Sequence, residues 1–492
     1  MKREYFIALL FIPLFIMSSV KLLFGQEWTA PVNVSNLGGY SMEPDMIIDH
    51  KGIIHVVWRY LITGHHHLIL YSNSEDDGAT WSEPLDLLQN TDLWMLQPHI
   101  ACDSKNNLYV TYTHDGYNWT PEGRLIKMLT YNGYEWSEPI VLSGGMPLPH
   151  YNKIQIDHND RVIVSWSLEL TGDRYFRFFE NNLWSDAFCP YPGGAEIYAL
   201  GEAALDKNNS LHWIGASMGY AYPTQERLQY YYYDNFQNYW YPPVMPVKDT
   251  IDVGQDIALN NNEIPQSTYR KESTIAVGET SDSTMFIKKE ENWSNPKLVS
   301  GTNKRQEGQQ IAIDQNNDVH VVETEFYASS VLETEIVHYS KLGNKWQKQV
   351  IDSSKHMCHF PNLFFFNNQL YVIYYKSDVP LIGDLRFSKY DIVTAQKEQQ
   401  IFSGELKTYP NPSDGNVTIE FANSIQQSVN ISIFDINGNQ IKTLIDKKMP
   451  QGQQQVLWDG TMQNGKKVKS GSYLVRLQAG NKSQTQTVEI VR

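Results

Sequence analysis

Cysteine is scarce in this chain of 492 residues: there are three, Cys102, Cys189 and Cys358, odd in number and far apart. They offer neither a disulfide framework nor the paired spacing of a metal site, and no metal or other cofactor is expected. Positive charge is also short, with 40 Lys and Arg against 55 Asp and Glu, a net charge of −15. Neutralising phosphates needs a basic footprint, so this balance argues against a nucleic-acid partner and mainly favours solubility. The one long apolar run to note is at the N-terminus, where Lys2 and Arg3 precede Tyr5 to Val20. Gly25 before Gln26 offers a cleavage point, so residues 1–26 read as a secretory signal peptide. A membrane anchor is the competing reading, but Lys21 interrupts the run short of a full span. No cysteine follows the cleavage point, which argues against lipid anchoring there.

What the chain has in quantity is repetition. Seven tryptophans, Trp28, Trp81, Trp136, Trp184, Trp240, Trp293 and Trp346, recur at near-constant spacing. A polar turn followed by an apolar strand recurs in step, at Asp49, Asp103, Asp157, Asp206, Asn260, Asp314 and Phe366. A period of about 50 residues with several short strands per repeat indicates four-stranded blades set around an axis. The fold class is therefore all-β, a seven-bladed β-propeller over residues 27–393. The last repeat lacks a fourth strand of its own, and the strand after Trp28 is expected to complete it and remove two exposed sheet edges.

The texture changes after the last repeat. Residues 394–405 read as a linker. Beyond it, short alternating strands and turns such as Asn437-Gly438 and Asp459-Gly460 indicate a small Ig-like β-sandwich over residues 406–492. The start Tyr409-Pro410-Asn411-Pro412, the strand from Gly471 through Tyr473 and the terminal Arg492 resemble the C-terminal sorting domain of the type IX secretion system of Bacteroidetes. That resemblance implies a protein secreted or held on the outer-membrane surface, with the secretion machinery as a partner and no catalysis in this domain.

The larger region is similar to the sialidase-like propellers. Ser74-Glu75-Asp76-Asp77-Gly78-Ala79-Thr80-Trp81 fits the Asp-box (BNR repeat) pattern at each fixed position, and such a turn is structural: the Asp caps backbone N–H groups and the Trp packs between strands. The early Arg-Ile-Pro motif of true sialidases has no match here, which puts sialic-acid hydrolysis in doubt. The resemblance implies that ligands bind on the face opposite the polar turns, around the central funnel. Loops expected there carry Arg59, His99, His114, Trp119, Glu122, Arg124, His150, Tyr151, Glu169, Arg174, Glu202, Tyr220, Arg227, Asp256, Arg270, Glu323, Glu325, His356 and His359.

Arg59, Arg124, Arg174, Arg227 and Arg270 fall in successive connections between second and third strands, and Arg offers a planar fork for carboxylate or sulfate. An acidic polysaccharide or glycoconjugate is thus one ligand class; arginines paired with neighbouring Glu and Asp are the other reading. Elimination from a uronate needs a charge neutraliser, a base and an acid, for which His114, His150, Tyr151 and Tyr220 are candidates, with Trp119 and the arginines binding substrate. Hydrolysis would need paired carboxylates, from among Glu122, Glu169, Glu202 and Asp256. A non-catalytic glycan- or protein-binding propeller is the alternative, and a monomer is expected. Two features have plainer readings. His65-His66-His67 is expected in a solvated loop with no metal role, and Tyr230 to Tyr233, which could be a sugar platform, is expected to pack a third strand.

Overall fold

The computed structural model describes residues 27–63, 66–89, 94–115, 123–169, 171–192, 201–217, 227–247, 251–276, 279–301, 305–327, 332–343, 345–379, 382–392, 406–423, 427–436, 438–479 and 482–492. The expected signal peptide and linker lie outside them. Among the described residues every regular element is a β-strand. The chain divides into two compact units, Met1–Ile392 and Val393–Arg492.

The larger unit is built from antiparallel strand quartets in chain order. The second to sixth quartets are separate four-stranded sheets whose first strands are Trp94–Cys102, Pro149–Ile156, Gly201–Leu205, Ile251–Leu259 and Arg305–Ile313. The first quartet, which opens with Tyr40–Ile48, shares one eight-stranded sheet with the last three strands, Cys358–Phe366, Gln369–Val379 and Ile382–Asp391. The link between these halves is a single parallel pairing of Tyr40 with Gly383. The remaining strand is Val32–Asn33, antiparallel to Ile382–Asp391 with Val32 opposite Phe387. It occupies the place of the fourth strand that the last quartet lacks in its own sequence. Asp384 anchors this segment, accepting hydrogen bonds from Asn33 Nδ2 (2.9 Å), Ser35 Oγ (2.9 Å) and the Leu37 N–H (3.0 Å).

Second strands such as Val162–Leu168 and Val319–Phe326 are buried along their whole length, because each is covered on both faces by neighbouring quartets. The repeated tryptophans fill the gaps between quartets. Trp81, Trp136, Trp240, Trp293, Trp346 and Trp28 each place the indole against an aromatic ring of the preceding third strand, namely Phe387, Tyr71, Phe176, Tyr230, Phe286 and His338, with centroids 4.6 to 5.8 Å apart. Trp184 packs into the cluster that joins Ile126 and Met128 to the third quartet.

The polar turns form a second seam. In each of the first six, the Asp or Asn accepts the N–H groups two and four residues on, as Asp49 does from Lys51 and Ile53, both at 2.9 Å. The next residue's N–H then reaches across to the following turn: His50 to Asn106 (3.0 Å), Ser104 to Asp160 (2.8 Å), His158 to Asn209 (2.9 Å), Lys207 to Glu263 (3.0 Å) and Asn261 to Asn317 (2.8 Å). Each acceptor has left-handed φ, from 61° to 65°. The same position in the first turn is Gly52, which has no side chain to accept such a bond.

The smaller unit packs a three-stranded sheet (Lys407–Tyr409, Val417–Asn423, Gly452–Trp458) and a four-stranded one (Gln440–Met449, Gln427–Asp435, Gly471–Ala479, Lys482–Ile490) over one core around Phe421, Trp458, Ile431 and Val475. The Arg492 guanidinium donates to the carbonyls of Asp414 (3.1 Å), Val468 (3.0 Å) and Gly460 (3.2 Å). A Cβ at Gly415 or Gly460 would lie 2.5 or 2.7 Å from its Nη2, so both positions need glycine for room as well as for positive φ.

Candidate functional site

Six of the seven first strands carry one device in common. In these, register shifts by a bulge, between Met42 and Asp45, Leu96 and His99, His150 and Lys153, Asp252 and Gln255, Glu307 and Gln310, and His359 and Asn362, whereas Gly201–Leu205 pairs without a shift. The residue at the bulge takes left-handed φ: Glu43 (51°), Gln97 (53°), Tyr151 (53°), Gly308 (64°) and Phe360 (56°). Left-handed backbone at a non-glycine residue is strained and is held only where surroundings over-determine it. Here the bulges hold one another, since the Gln97 N–H donates to Glu43 (2.9 Å), and the Tyr151 N–H to Gln97 Oε1 (3.1 Å). A bulge re-aims the side chains beside it, which is how these strands present polar groups at one end.

At the third quartet this brings together several expected site residues. His150 and Tyr151 rings lie 4.1 Å apart, tilted 40°. Burial, then the nearby Arg124 cation, pushes the His150 imidazole down to about 4, so it is neutral at pH 7. Burial and the Glu169 carboxylate raise the Tyr151 phenol. Arg124 Nη2 pairs with Asp115 at 2.9 Å, and Nη1 pairs with Glu169. Arg174 donates to the Tyr151 carbonyl (2.9 Å), Ser167 (3.1 Å) and Ser165 (2.8 Å), and full burial lowers it to about 10.

His114 is not in this group. Successive strand residues face opposite ways, and Asp115 points to Arg124, so His114 faces away, beside Lys127. Burial lowers its imidazole to about 4. Tyr220, Trp119 and Glu122 lie outside the described residues, as does the side chain of Arg227, whose backbone opens a third strand. Arg59 and Arg270 are not in connections; their second strands, Ile54–Thr63 and Pro265–Ala276, run long enough to include them. Arg59 pairs with Glu43 at 2.9 Å, and Arg270 lies 3.5 Å from Glu307 and 3.9 Å from Asp282. Three of the four described arginines thus already face internal carboxylates.

A second cluster joins the sixth and seventh quartets, where His359 Nε2 lies 2.7 Å from Glu307 and Arg305 pairs with the same carboxylate. Burial alone would raise Glu307, but His359, Arg305 and Arg270 hold it down to about 2. Glu43, Gln97 and Glu307 were not singled out from sequence, although a signal existed: the bulge residue lies six positions before each polar turn, as Glu43 before Asp49 and Gln97 before Asp103.

Between the first strands of all the quartets lies a cavity of about 550 Å³. Asp45 there accepts from Asn362 Nδ2 (2.9 Å) and lies 3.2 Å from His99, while Lys153 pairs with Glu202 at 2.5 Å. Burial, then Glu202, pushes Asp256 up to about 8, so it holds its proton at pH 7. Among the described residues no group of three or more His, Cys, Asp or Glu is arranged to hold a metal ion. The three cysteines are free. His67 lies in a strand and stacks on Trp94 at 5.6 Å, which differs from the solvated loop expected, because the hairpin pairs to its tip; His65 lies outside the described residues. Tyr230, Tyr231 and Tyr233 are buried between quartets.

Residues 407–491 match the family described as the secretion system C-terminal sorting domain. The smaller unit is thus a type IX secretion sorting domain, and the protein is destined for the cell exterior or the outer-membrane surface. No curated protein matches the chain. The larger unit is similar in structure to an ulvan lyase described as a new family of polysaccharide lyase, PL25, with TM-score 0.55, 11% identity, and coverage of 74% of this chain and 96% of that one. The same lyase bound to -[GlcA(1-4)Rha3S]- gives TM-score 0.54 at 11% identity and the same coverage, 74% and 96%. A K499G mutant of NanB sialidase from Streptococcus pneumoniae matches at TM-score 0.41 and 14% identity, over 76% of this chain and 72% of that one. The likeness to the lyase is one of fold, an all-β propeller.

Proposed function

We propose that each quartet is one blade of a seven-bladed propeller, and that this exported protein acts on acidic glycans as a polysaccharide lyase at the bulged ends of its first strands. The observation that supports this most is the neutral His150 imidazole against the Tyr151 ring, with Arg124 beside them. A base must be unprotonated to take the C5 proton of a uronate, and His150 meets that condition at pH 7. As the proton leaves, a C4–C5 double bond forms and the C4–O bond breaks, its oxygen taking the Tyr151 phenolic proton. Arg124 has one deeply buried partner, Asp115, and one outer partner, Glu169, whose side chain is 41% exposed. A substrate carboxylate replacing Glu169 would keep the guanidinium paired, and the positive charge would stabilise the developing enolate.

Hydrolysis is a second reading, favoured by Asp256, whose carboxyl burial and the neighbouring Glu202 push up to about 8, so that it holds the proton a general acid needs at pH 7. The test is mass spectrometry of products after the full chain meets uronate-rich, sulfated and sialylated glycans. Unsaturated fragments, lost in Tyr151→Phe, support the lyase. Fragments with added water, lost in Asp256→Asn, support hydrolysis. Glycan retention without any product would overturn both and leave a binding propeller.

A further inference from the structure

Away from the bulged ends, on the side of the polar turns, the fourth and fifth quartets part to leave a cavity of about 750 Å³. Its volume falls in the range of about 300–1,000 Å³ usual for ligand sites. Trp293 packs against Tyr230 at 5.1 Å, and Tyr232 lines the cavity.

Four rings follow one another in a strip. His212 lies 4.9 Å from Tyr232, Tyr232 5.5 Å from Tyr241, and Tyr241 5.1 Å from Tyr239. They run from the buried His212 to the exposed Tyr241 and Tyr239, at 38% and 51% exposure. Register explains the strip: Tyr232 is directly opposite Tyr241, and Asp234 opposite Tyr239, so alternate residues of two strands share one face. Exposed tyrosines in a row are costly to leave bare, and their flat apolar faces with hydroxyl edges suit the C–H face and hydroxyls of a pyranose.

The charge around them selects the sugar. Glu263, Glu290 and Glu291 line the cavity with Lys289 as the lining cation, and Glu290 is engaged by Lys288. A uronate or sulfate chain would meet net repulsion there, whereas a neutral sugar meets carboxylates that accept its hydroxyl protons. We infer that this cleft is a second carbohydrate site, built to hold a neutral oligosaccharide by stacking on Tyr232 and Tyr241, separate from any acidic-glycan site at the bulged ends.

Calorimetric titration of the full chain with cellohexaose and mannohexaose, with hexagalacturonate as the acidic control, tests it. At least one neutral hexamer should bind. Tyr241→Ala should weaken it about tenfold, while Tyr241→Phe, which keeps the ring, should stay within about twofold. Tyr151→Phe should leave this binding unchanged. Binding of neither neutral hexamer, full affinity in Tyr241→Ala, or displacement of the neutral hexamer by hexagalacturonate would each overturn the inference.

Discussion

Glu323 has no exposed surface, and Thr284 and Ser300 donate to its two oxygens from the neighbouring quartet. Burial raises its carboxyl from 4.5 to about 7. Since the folded value lies above the unfolded one, the acid's contribution to stability is full below about pH 4.5 and is lost as pH rises through 7. Glu323→Gln should therefore flatten the stability profile over that window and raise the melting temperature at pH 8, read by thermal melts at pH 5 and pH 8; an unchanged profile would refute the assignment. His150 has the opposite sign. Its folded value, about 4, lies below 6.5, so the neutral form contributes stability above pH 6.5 that is lost as pH falls through 4. The acid limb of kcat/KM for a lyase using His150 should then fall near pH 4, and a limb near 6.5 would count against that base. The polar character of these positions could be read from sequence, but their pairing could not. His114 and His150 look equivalent in the chain, and only strand alternation around Asp115 separates them.

The element that most organises the larger unit is the polar turn. Its period was legible because Asp at the first position caps two N–H groups within the same turn, a local requirement that leaves a local mark. The seam between turns was not, since its acceptors are Asn106, Asp160, Asn209, Glu263 and Asn317, side chains of differing type joined by position and left-handed backbone alone. Asn209 separates these two requirements. It has φ 63° and accepts both the N–H and Nδ1 of His158 at 2.9 Å. Asn209→Gly keeps the backbone and loses the acceptor, and should cost about 1 kcal/mol in denaturant unfolding. Asn209→Ala adds left-handed strain and should cost about 1–2 kcal/mol more. Equal costs would mean that the conformation is not the constraint. The first-strand bulges, likewise, leave no residue-type signature: Glu, Gln, Tyr, Gly and Phe all occupy the position.

At the scale of the molecule, the larger unit depends on a short strand from one end and three long ones from the other. Three hydrogen bonds converge on Asp384, so Asp384→Ala should lower stability by about 2–3 kcal/mol and release the Trp28 indole, which a blue-to-red shift in fluorescence would report. A variant that melts like the parent would show that the strand is dispensable. This closure was expected from the phase of the two repeat series, because a missing fourth strand and an extra first one are visible by counting. The sorting domain was legible for another reason: turns such as Tyr409-Pro410-Asn411-Pro412 are written in residues with narrow backbone preferences.

The same clasp sets an order of assembly. Ser35 and Leu37 bind a residue nearly 350 positions later in the chain. During synthesis the strand that completes the last quartet emerges first and has no partner until Asp384 follows. Quartets two to six can close on themselves as they appear; the first and last cannot share their sheet until the whole unit has left the ribosome. For an exported chain this keeps the seam open through vectorial synthesis, with the final lock reserved for the compartment in which both ends are finally free to meet.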